Sequence, residues 1–125
     1  MRQQVVIVTG AAGGIGFAIA QSFAAADEQV IILDLDQSKI DAAIARTAAM
    51  NVSGFVCDVT DEEAIREIFR KVNDQYGRID VLVNNAGLQH VAPIESFPTE
   101  KFRYMLELML TAPFIAIKQV LPYMK

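Results

Sequence analysis

The sequence predicts an α/β fold in which a doubly wound parallel sheet carries helices on both faces. Four short, continuous apolar runs indicate strands that are buried on both sides. Segments with apolar residues at helical spacing lie between these runs, so strands and helices alternate along the chain. Because crossover connections between parallel strands are right-handed, this alternation favours the spatial strand order 3-2-1-4.

The apolar runs and the segments between them define the individual elements. Strands are predicted at residues 4–8, 30–34, 54–57 and 79–83. Helices are predicted at residues 14–26 and 37–50, from residue 60 up to Gly77, and from residue 99 onward with a break near Pro113. Asp36 or Ser38 is expected to cap the second helix. Thr60 and Glu63 are expected to form a capping box at the start of the third helix.

Composition and charge narrow the class of protein. A chain of 125 residues has the length of one domain, residues 1–125. Its hydrophobic fraction of 53% is high. The apolar runs are nevertheless far shorter than the ~18 residues of a membrane-spanning helix, so no membrane partner is predicted. The net charge of −4 does not provide the basic surface that is typical of nucleic-acid binding.

Cysteine usage and the start of the chain indicate the compartment. Cys57 is the single cysteine, so an internal disulfide is impossible, and its place at the end of an apolar run predicts an inert buried thiol. The first strand begins by residue 4, which leaves no room for a signal peptide. A cytoplasmic location is therefore expected, and no metal site is predicted.

A glycine-rich turn joins the first strand to the first helix over residues 9–16. Gly10 is expected to let the chain leave the strand in a tight turn, and the missing Cβ of Gly14 to let backbone N–H groups approach a pyrophosphate. Gly16 is expected to let the helix pack close to the strand. The helix N-terminus adds partial positive charge toward an anion. Taken alone, the turn is equally compatible with a phosphate cradle and with a simple strand-to-helix connection.

A carboxylate stands at the end of the second predicted strand. Asp34 follows Gly16 by 18 residues. At this position a dinucleotide-binding βαβ unit accepts hydrogen bonds from the adenosine ribose hydroxyls. A 2′-phosphate would need a nearby cation, and neither residues 11–13 nor Leu35 supply one, so NAD is favoured over NADP. The alternative is that Asp34 only begins the turn into the second helix, where aspartate is common.

Three motifs follow the predicted strands in the order of one known family. They are Thr9-Gly10-x-x-x-Gly14-x-Gly16 after the first strand, Asp58-Val59 after the third, and Asn84-Asn85-Ala86-Gly87 after the fourth. With these motifs the chain resembles the short-chain dehydrogenases/reductases, which have a Rossmann-type sheet and bind a nicotinamide dinucleotide. The last motif on its own would also suit a simple Asn/Gly turn.

The resemblance implies a set of cofactor-binding residues. Asp58 would hydrogen-bond the adenine amino group, Val59 would line the adenine pocket, and residues 85–87 would pass close to the ribose and the nicotinamide. The implied cofactor is NAD. The full set of implied cofactor-binding residues is Thr9, Gly10, Gly13, Gly14, Ile15, Gly16, Asp34, Asp58, Val59, Asn85, Ala86 and Gly87.

The run from residue 84 to residue 102 narrows the resemblance. Its segment Leu-Gln-His-Val-Ala-Pro-Ile looks like the bacterial 3-hydroxybutyrate dehydrogenases, which implies hydride transfer between NAD and a short 3-hydroxy or 3-keto acid. In that subfamily the residue at Gln89 helps to hold the substrate carboxylate, for which a side-chain amide is a suitable donor. Without the resemblance, Gln89 is better interpreted as a solvated loop residue. His90, the only histidine, is expected to be a structural loop residue.

The chain departs from the family in two places. The family's catalytic Ser and its Tyr-x-x-x-Lys lie beyond the fourth crossover helix, and no Tyr-x-x-x-Lys occurs here. The fold is therefore expected to be truncated before the later strands of the family, and the chain alone to be inactive. Met109 occupies the position of the family's catalytic Asn, and a thioether cannot hold the relay water that an amide can hold. No catalytic residue is predicted in this chain.

The C-terminal segment is expected to expose apolar surface. Residues 111–124 correspond to a helix that joins a subunit interface in the family. We therefore expect a homo-oligomer, a chain completed by another polypeptide, or a piece of a longer protein. Two other classes stay open, a non-catalytic NAD-binding or interaction module and a flavin- or other nucleotide-binding α/β protein.

Overall fold

The computed structural model describes residues 3–47 and 51–124 of the chain. Its strands are β1 (Val5–Thr9), β2 (Gln29–Asp34), β3 (Val52–Val56) and β4 (Val81–Val83). All neighbouring strands are parallel, and their spatial order is β3-β2-β1-β4. The predicted α/β fold with a Rossmann-type sheet in the order 3-2-1-4 is therefore confirmed.

Helices follow each strand. They are α1 (Gly14–Ala25), α2 (Gln37–Arg46), α3 (Glu62–Tyr76), α4 (Thr99–Leu106) and α5 (Ala112–Met124). A 3₁₀ turn, Ile94–Ser96, lies in the loop before α4, and a π-helical turn, Glu107–Thr111, joins α4 directly to α5. α2 was predicted to continue to residue 50, but it ends at Arg46, because the backbone of Thr47 is in the β conformation. Residues 48–50 of this prediction lie outside the described residues.

Alternate residues of the buried strands face two separate helix layers. Val6 and Val8 of β1 pack in one apolar cluster with residues of α1 and α2. Val5 and Ile7 pack in a second cluster with residues of α3 and α5. The central strands β1 and β2 are continuous apolar runs because both of their faces are covered by helices. Full burial of each such side chain stabilises the fold by about 1.5–3 kcal/mol.

Asp36, one of the two expected candidates, caps α2. Its Oδ1 accepts hydrogen bonds from the backbone N–H groups of Ser38 and Lys39, at 2.8 and 3.3 Å. The Ser38 hydroxyl donates to the same oxygen, and these hydrogen bonds lower the pKa of the Asp36 carboxyl. Ser38 therefore supports the cap without being the cap itself.

The predicted capping box at the start of α3 is wrong. Asp61 is the cap, since its Oδ1 accepts hydrogen bonds from the backbone N–H groups of Glu63 and the next residue, at 3.1 and 3.3 Å. The Thr60 hydroxyl donates instead to Asp58 Oδ1 at 2.6 Å, and the Glu63 carboxylate pairs with Arg66. Because Thr60 is already engaged, the ionised carboxylate one residue further along takes the free amides.

The predicted helix break near Pro113 does not occur. α4, the π turn and α5 form one continuous helix of 26 residues, Thr99–Met124. Proline lacks an N–H, so Pro113 cannot bond to the carbonyl of Met109 as an α-helical residue would. The chain widens into the π turn just before this point, where the Ala112 N–H bonds to the Glu107 carbonyl.

The long helix is attached to the start of α3 by polar contacts. Gln119 Nε2 donates to Glu62 Oε2 at 2.7 Å, and Lys118 Nζ lies 3.4 Å from the same oxygen. Both contacts lower the pKa of the Glu62 carboxyl. Among the described residues, Thr99–Met124 is the one helix that is long and apolar enough to cross a membrane, a test that core helices also pass.

Candidate functional site

A cavity of about 320 Å³ opens where the strands end. Part of its wall comes from Gly10 after β1, from Asp34 at the end of β2 and from Leu35 directly after it. Residues 57–59 after β3 and residues 85–88 after β4 form another part. The carboxyl edge of an open parallel sheet is where such folds bind ligands, so this cavity is the candidate site.

The turn after β1 is closely packed at both ends. Gly10 has a φ of +63°, and a Cβ there would lie 2.9 Å from Ala86 Cα. A Cβ at Gly16 would lie 2.5 Å from the Gly10 carbonyl oxygen. Glycine is therefore required at both positions if the backbone is not to move. No described atom lies within 4 Å of a Cβ built at Gly13 or Gly14, so the backbone at the start of α1 is open to a ligand.

Two motifs that are 75 residues apart in the sequence hold each other at this edge. Thr9 is 2% exposed, and its Oγ1 accepts hydrogen bonds from the backbone N–H groups of Asn85 and Ala86, at 3.1 and 3.0 Å. Asn85 Nδ2 donates to the Gly10 carbonyl at 3.0 Å. The Thr9 and Asn85 side chains therefore join the turn after β1 to the loop after β4, and so fix the shape of the cavity.

Asp34 holds the glycine-rich turn from the neighbouring strand. Its Oδ2 accepts a hydrogen bond from the Ala12 N–H at 2.9 Å, and its Oδ1 accepts one from the Leu35 N–H at 2.8 Å. Each carboxylate oxygen keeps a second lone pair, so the group can still accept a hydrogen bond from a ligand. Within the described residues, no lysine, arginine or histidine lines the cavity, and no acidic, His or Cys cluster could hold a metal ion.

The end of β3 supplies an acidic and an apolar group. Asp58 is exposed, and its Oδ1 accepts a hydrogen bond from the Thr60 N–H at 3.0 Å, while Val59 is buried. Cys57 beside them is 3% exposed, and burial, with smaller contributions from Asp58 and Asp61, raises the pKa of its thiol to about 12. The thiol is therefore neutral at pH 7 and is not a nucleophile, as predicted.

Some of the predicted site residues lie away from the cavity. Gln89 is exposed in the loop after β4, next to His90, whose ring meets Phe97 edge-on with 5.1 Å between centroids. Met109 is half-exposed on the π turn, and its methyl lies 3.8 Å from a Cβ built on Gly87. The predicted cofactor-binding residues that do not line the cavity are Thr9, Gly13, Gly14, Ile15 and Gly16.

Sequence reasoning missed the two residues of the long helix that line the cavity. Tyr104 of α4 and Leu108 of the π turn both contribute to its wall. Residues four apart lie on the same side of a helix, so this spacing was an available signal. Which side of the helix meets the cavity depends on how the helix crosses the end of the sheet, and this crossing is not encoded in the helical spacing.

The glycine-rich turn, the acidic residue that ends β2 and the cavity at the carboxyl edge define a nucleotide-binding α/β protein. The family model for short chain dehydrogenases matches residues 4–125. This chain belongs to the short-chain dehydrogenase family.

Curated relatives of the chain are about twice its length. The uncharacterized oxidoreductase YxjF of Bacillus subtilis is 50% identical over 127 residues, which cover 100% of this chain and 49% of that protein. The D-beta-hydroxybutyrate dehydrogenase of Cupriavidus necator is 35% identical over 125 residues, which cover 98% of this chain and 48% of that protein. The chain thus spans about half the length of the curated relatives it matches.

Solved structures share the fold. A 2-keto-3-deoxy-D-gluconate dehydrogenase from Streptococcus agalactiae matches with a TM-score of 0.82 and 41% identity over 97% of this chain and 46% of that one. A metagenomic short-chain oxidoreductase in complex with NADP matches with a TM-score of 0.87 and 30% identity over 97% of this chain and 56% of that one. The chain corresponds to the N-terminal part of the family fold.

Proposed function

We propose that this chain forms the NAD-binding part of a dehydrogenase that transfers hydride between NAD and a short 3-hydroxy or 3-keto acid. The observation that carries the proposal is the Asp34 carboxylate, which lies in the cavity wall at the end of β2 and keeps lone pairs free for a ribose. Membership of the short-chain dehydrogenase family supports the reaction class.

The described residues fit a dinucleotide along this edge of the sheet. The glycine-rich turn of residues 9–16 would receive the pyrophosphate, because the open start of α1 carries the partial positive charge of a helix N-terminus. Asp34 would accept hydrogen bonds from the adenosine ribose, and Asp58 from the adenine amino group, with Val59 beside the base. Residues 85–87 would pass close to the second ribose and the nicotinamide. When bound, the nicotinamide exchanges the hydride, and the protein holds and orients it.

The charge of the cavity supports NAD rather than NADP. The 2′-phosphate of NADP would approach the Asp34 carboxylate, and the described lining of the cavity offers no cation to neutralise it. Two unit charges of the same sign repel by about 1 kcal/mol at 4 Å in water, and by about 4 kcal/mol near a protein surface. The metagenomic relative is in complex with NADP, so both cofactors must be measured.

Gln89 is the proposed contact for the substrate carboxylate. It is exposed in the loop after β4, where its amide N–H groups are available to an anion. The edge-on contact between His90 and Phe97 holds the adjacent backbone. The hydroxybutyrate dehydrogenase among the relatives supports a 3-hydroxy acid.

We infer that this chain does not supply the acid/base group of the reaction. The sequence contains no Tyr-x-x-x-Lys, and a methionine, Met109, stands at the family's Asn position. A thioether is at most a weak acceptor, so Met109 cannot replace the amide. The chain would therefore bind the dinucleotide without turning over a substrate. The same observation favours a second candidate, a non-catalytic NAD-binding module.

The long helix supports assembly with further polypeptide. Leu110 and Phe114 are 68% and 64% exposed, which is unfavourable for large apolar side chains in water. We propose that this face joins a homo-oligomer interface through α5, and that the protein acts in the cytoplasm.

Calorimetric titration with NAD, NADP and FMN tests the proposal on the protein that carries this chain, at its natural length. We expect NAD to bind more tightly than NADP, because of the carboxylate at Asp34. A preference for FMN would contradict the dehydrogenase assignment. Intact-mass measurement first establishes the length of the polypeptide that is assayed. Turnover of 3-hydroxybutyrate then separates the two candidates, since the non-catalytic module predicts binding without turnover.

A further inference from the structure

The three tyrosines of the chain have different surroundings. Tyr76 and Tyr123 pack against the apolar cluster between the sheet and α3, and the Tyr76 hydroxyl accepts a hydrogen bond from Gln75 Nε2 at 3.1 Å. Tyr104 belongs to neither apolar cluster of the described chain. Its side chain is 41% exposed, and its hydroxyl has no hydrogen-bond partner among residues 3–47 and 51–124. Core packing therefore does not explain Tyr104.

Tyr104 lies in the wall of the cavity, where it is the one aromatic residue within the described lining. Leu108 lies one helical turn further on and lines the same cavity. Leu35 and Val59 contribute aliphatic surface from the ends of β2 and β3. A planar aromatic ring together with aliphatic side chains forms a wall that suits a flat heterocycle.

The backbone of Tyr104 is held in place before a ligand arrives. The residue sits inside α4, and the aromatic contact of Phe97 with Phe102 at 6.4 Å joins this helix to the loop before it. A tyrosine side chain has only two rotatable angles, so ordering its ring on a ligand costs little conformational entropy. The ring is therefore suited to contribute binding free energy rather than folding free energy.

We propose that the Tyr104 ring forms the helix-side wall of the base pocket and packs against the adenine of the bound dinucleotide. This inference rests on the proposed function, and it adds to that function a positioning residue on α4. The carboxylates of Asp34 and Asp58 line the same cavity as Tyr104. They favour a base that carries an amino group over a second phosphate. On this proposal, Tyr104 contacts only the adenosine half of the cofactor.

Titration calorimetry with AMP, NAD and nicotinamide mononucleotide tests this role on the protein that carries this chain, at its natural length. Tyr104→Ala should weaken AMP and NAD by the same factor, about tenfold, because loss of an aromatic–base stack costs roughly that much. Nicotinamide mononucleotide should bind as before. Tyr104→Phe keeps the ring and should bind AMP within about twofold of the wild type.

Leu106→Ala is the matched control, since Leu106 is a half-exposed residue of the same helix that does not line the cavity. It should leave all three affinities unchanged. If Tyr104→Ala lowers the melting temperature of the free protein, Tyr104→Leu replaces it, and the same selective loss is expected. A variant without the ring that binds AMP like the wild type would overturn the inference. An equal loss in Tyr104→Phe, or an equal loss for nicotinamide mononucleotide, would overturn it as well.

The wild-type protein separates this inference from the function on which it rests. If the wild type binds neither AMP nor NAD, the proposed function itself fails. If the wild type binds both ligands and Tyr104→Ala binds each of them with the affinity of the wild type, only the role of Tyr104 fails.

Discussion

The carboxyl edge of the sheet and the long helix differ in how completely their groups are satisfied. At the edge, Thr9 is 2% exposed and its hydroxyl joins two loops, while Asn85 and Asp34 hydrogen-bond to the glycine-rich turn. On the helix, Met109 and Leu110 are 51% and 68% exposed. The edge is completed by residues of this chain, whereas the outer face of the helix has apolar side chains without a partner among the described residues.

This difference indicates which substitutions act within the chain and which act between polypeptides. Changes at the edge should lower the free energy of unfolding or the cofactor affinity, because each side chain there has partners to lose. Changes on the outer face of the helix should alter assembly and leave the folding of the chain nearly unchanged.

The largest expected effect is the protection of Cys57 from alkylation. With its pKa raised to about 12 by burial, the thiolate fraction at pH 8 falls about a thousandfold below that of an ordinary thiol near 9. Iodoacetamide labelling followed by mass spectrometry should therefore be slow in buffer and fast in urea. Because the folded pKa is the higher one, the neutral thiol contributes full stability below pH 9, and this contribution is lost as the pH rises through 12. Equal labelling rates in buffer and urea would show that the edge is open.

Gly16→Ala should lower the free energy of unfolding by about 3 kcal/mol. The added Cβ would lie 2.5 Å from the Gly10 carbonyl oxygen, which is backbone and cannot move freely. Urea denaturation measures the change. Gly13→Ala is the matched control, since Gly13 has extended backbone with φ −165° and open space beside it, and it should be nearly neutral. Similar losses in both variants would contradict the packing described for the turn.

Thr9→Val should lower the free energy of unfolding by about 2 kcal/mol, because it takes an acceptor away from two part-buried backbone N–H groups, of which only the first keeps another acceptor, the Val83 carbonyl at 3.1 Å. These are the amides of Asn85 and Ala86. Thermal and urea denaturation report the loss, and Thr9→Ser, which keeps the oxygen, should retain most of the stability. If serine is as damaging as valine, the hydroxyl is not the group that joins the two loops.

Asp34→Ala should weaken NAD about tenfold, since it removes a ribose acceptor, and should weaken NADP less, since it also removes a like charge. Calorimetry with both cofactors measures the ratio of the two affinities. Asp41→Ala, at an exposed carboxylate of α2, changes the net charge equally and should leave the ratio unchanged. An unchanged ratio in Asp34→Ala would refute the role assigned to this residue.

The smallest expected effect on folding comes from the outer face of the helix. Leu110→Lys together with Phe114→Lys should change the free energy of unfolding by less than about 0.5 kcal/mol, because both side chains are already in water. Light scattering should nevertheless show a smaller assembly. Ala116→Lys, at a position with 0% exposure on the inner face of the same helix, should unfold the chain. An unchanged assembly would contradict an interface at this face.

Much of the fold could be predicted because the spacing of apolar residues agrees with the turn and cap residues between the elements. Alternating strands and helices with right-handed crossovers predicted the order of the sheet. This order brings Gly10, Asp34 and Asn85 to one edge. The capping error has a local cause, since Thr60 and Asp61 are both good caps, and the choice depends on the hydrogen bond that the Thr60 hydroxyl donates to Asp58.

The remaining differences between prediction and structure depend on tertiary packing, which the spacing of residues along the sequence does not specify. Pro113 signals an irregular helix, but whether the chain breaks or widens is decided by the contacts on both sides of it, and here a π turn results. Tyr104 and Leu108 line the cavity only because of the direction in which the long helix crosses the end of the sheet. Part of the cavity wall from the strand ends and loops could thus be predicted, and the wall from the helix could not.

The hydrogen bond from the Ala12 amide to Asp34 has a consequence for how cofactor preference can change during evolution or engineering. A substitution that replaces the carboxylate to admit a 2′-phosphate also leaves that amide unpaired and releases the turn that is proposed to receive the pyrophosphate. A new preference for NADP would therefore be accompanied by a less ordered glycine-rich turn. On the proposed function, a change of cofactor therefore requires a second substitution that restores a partner for the Ala12 N–H.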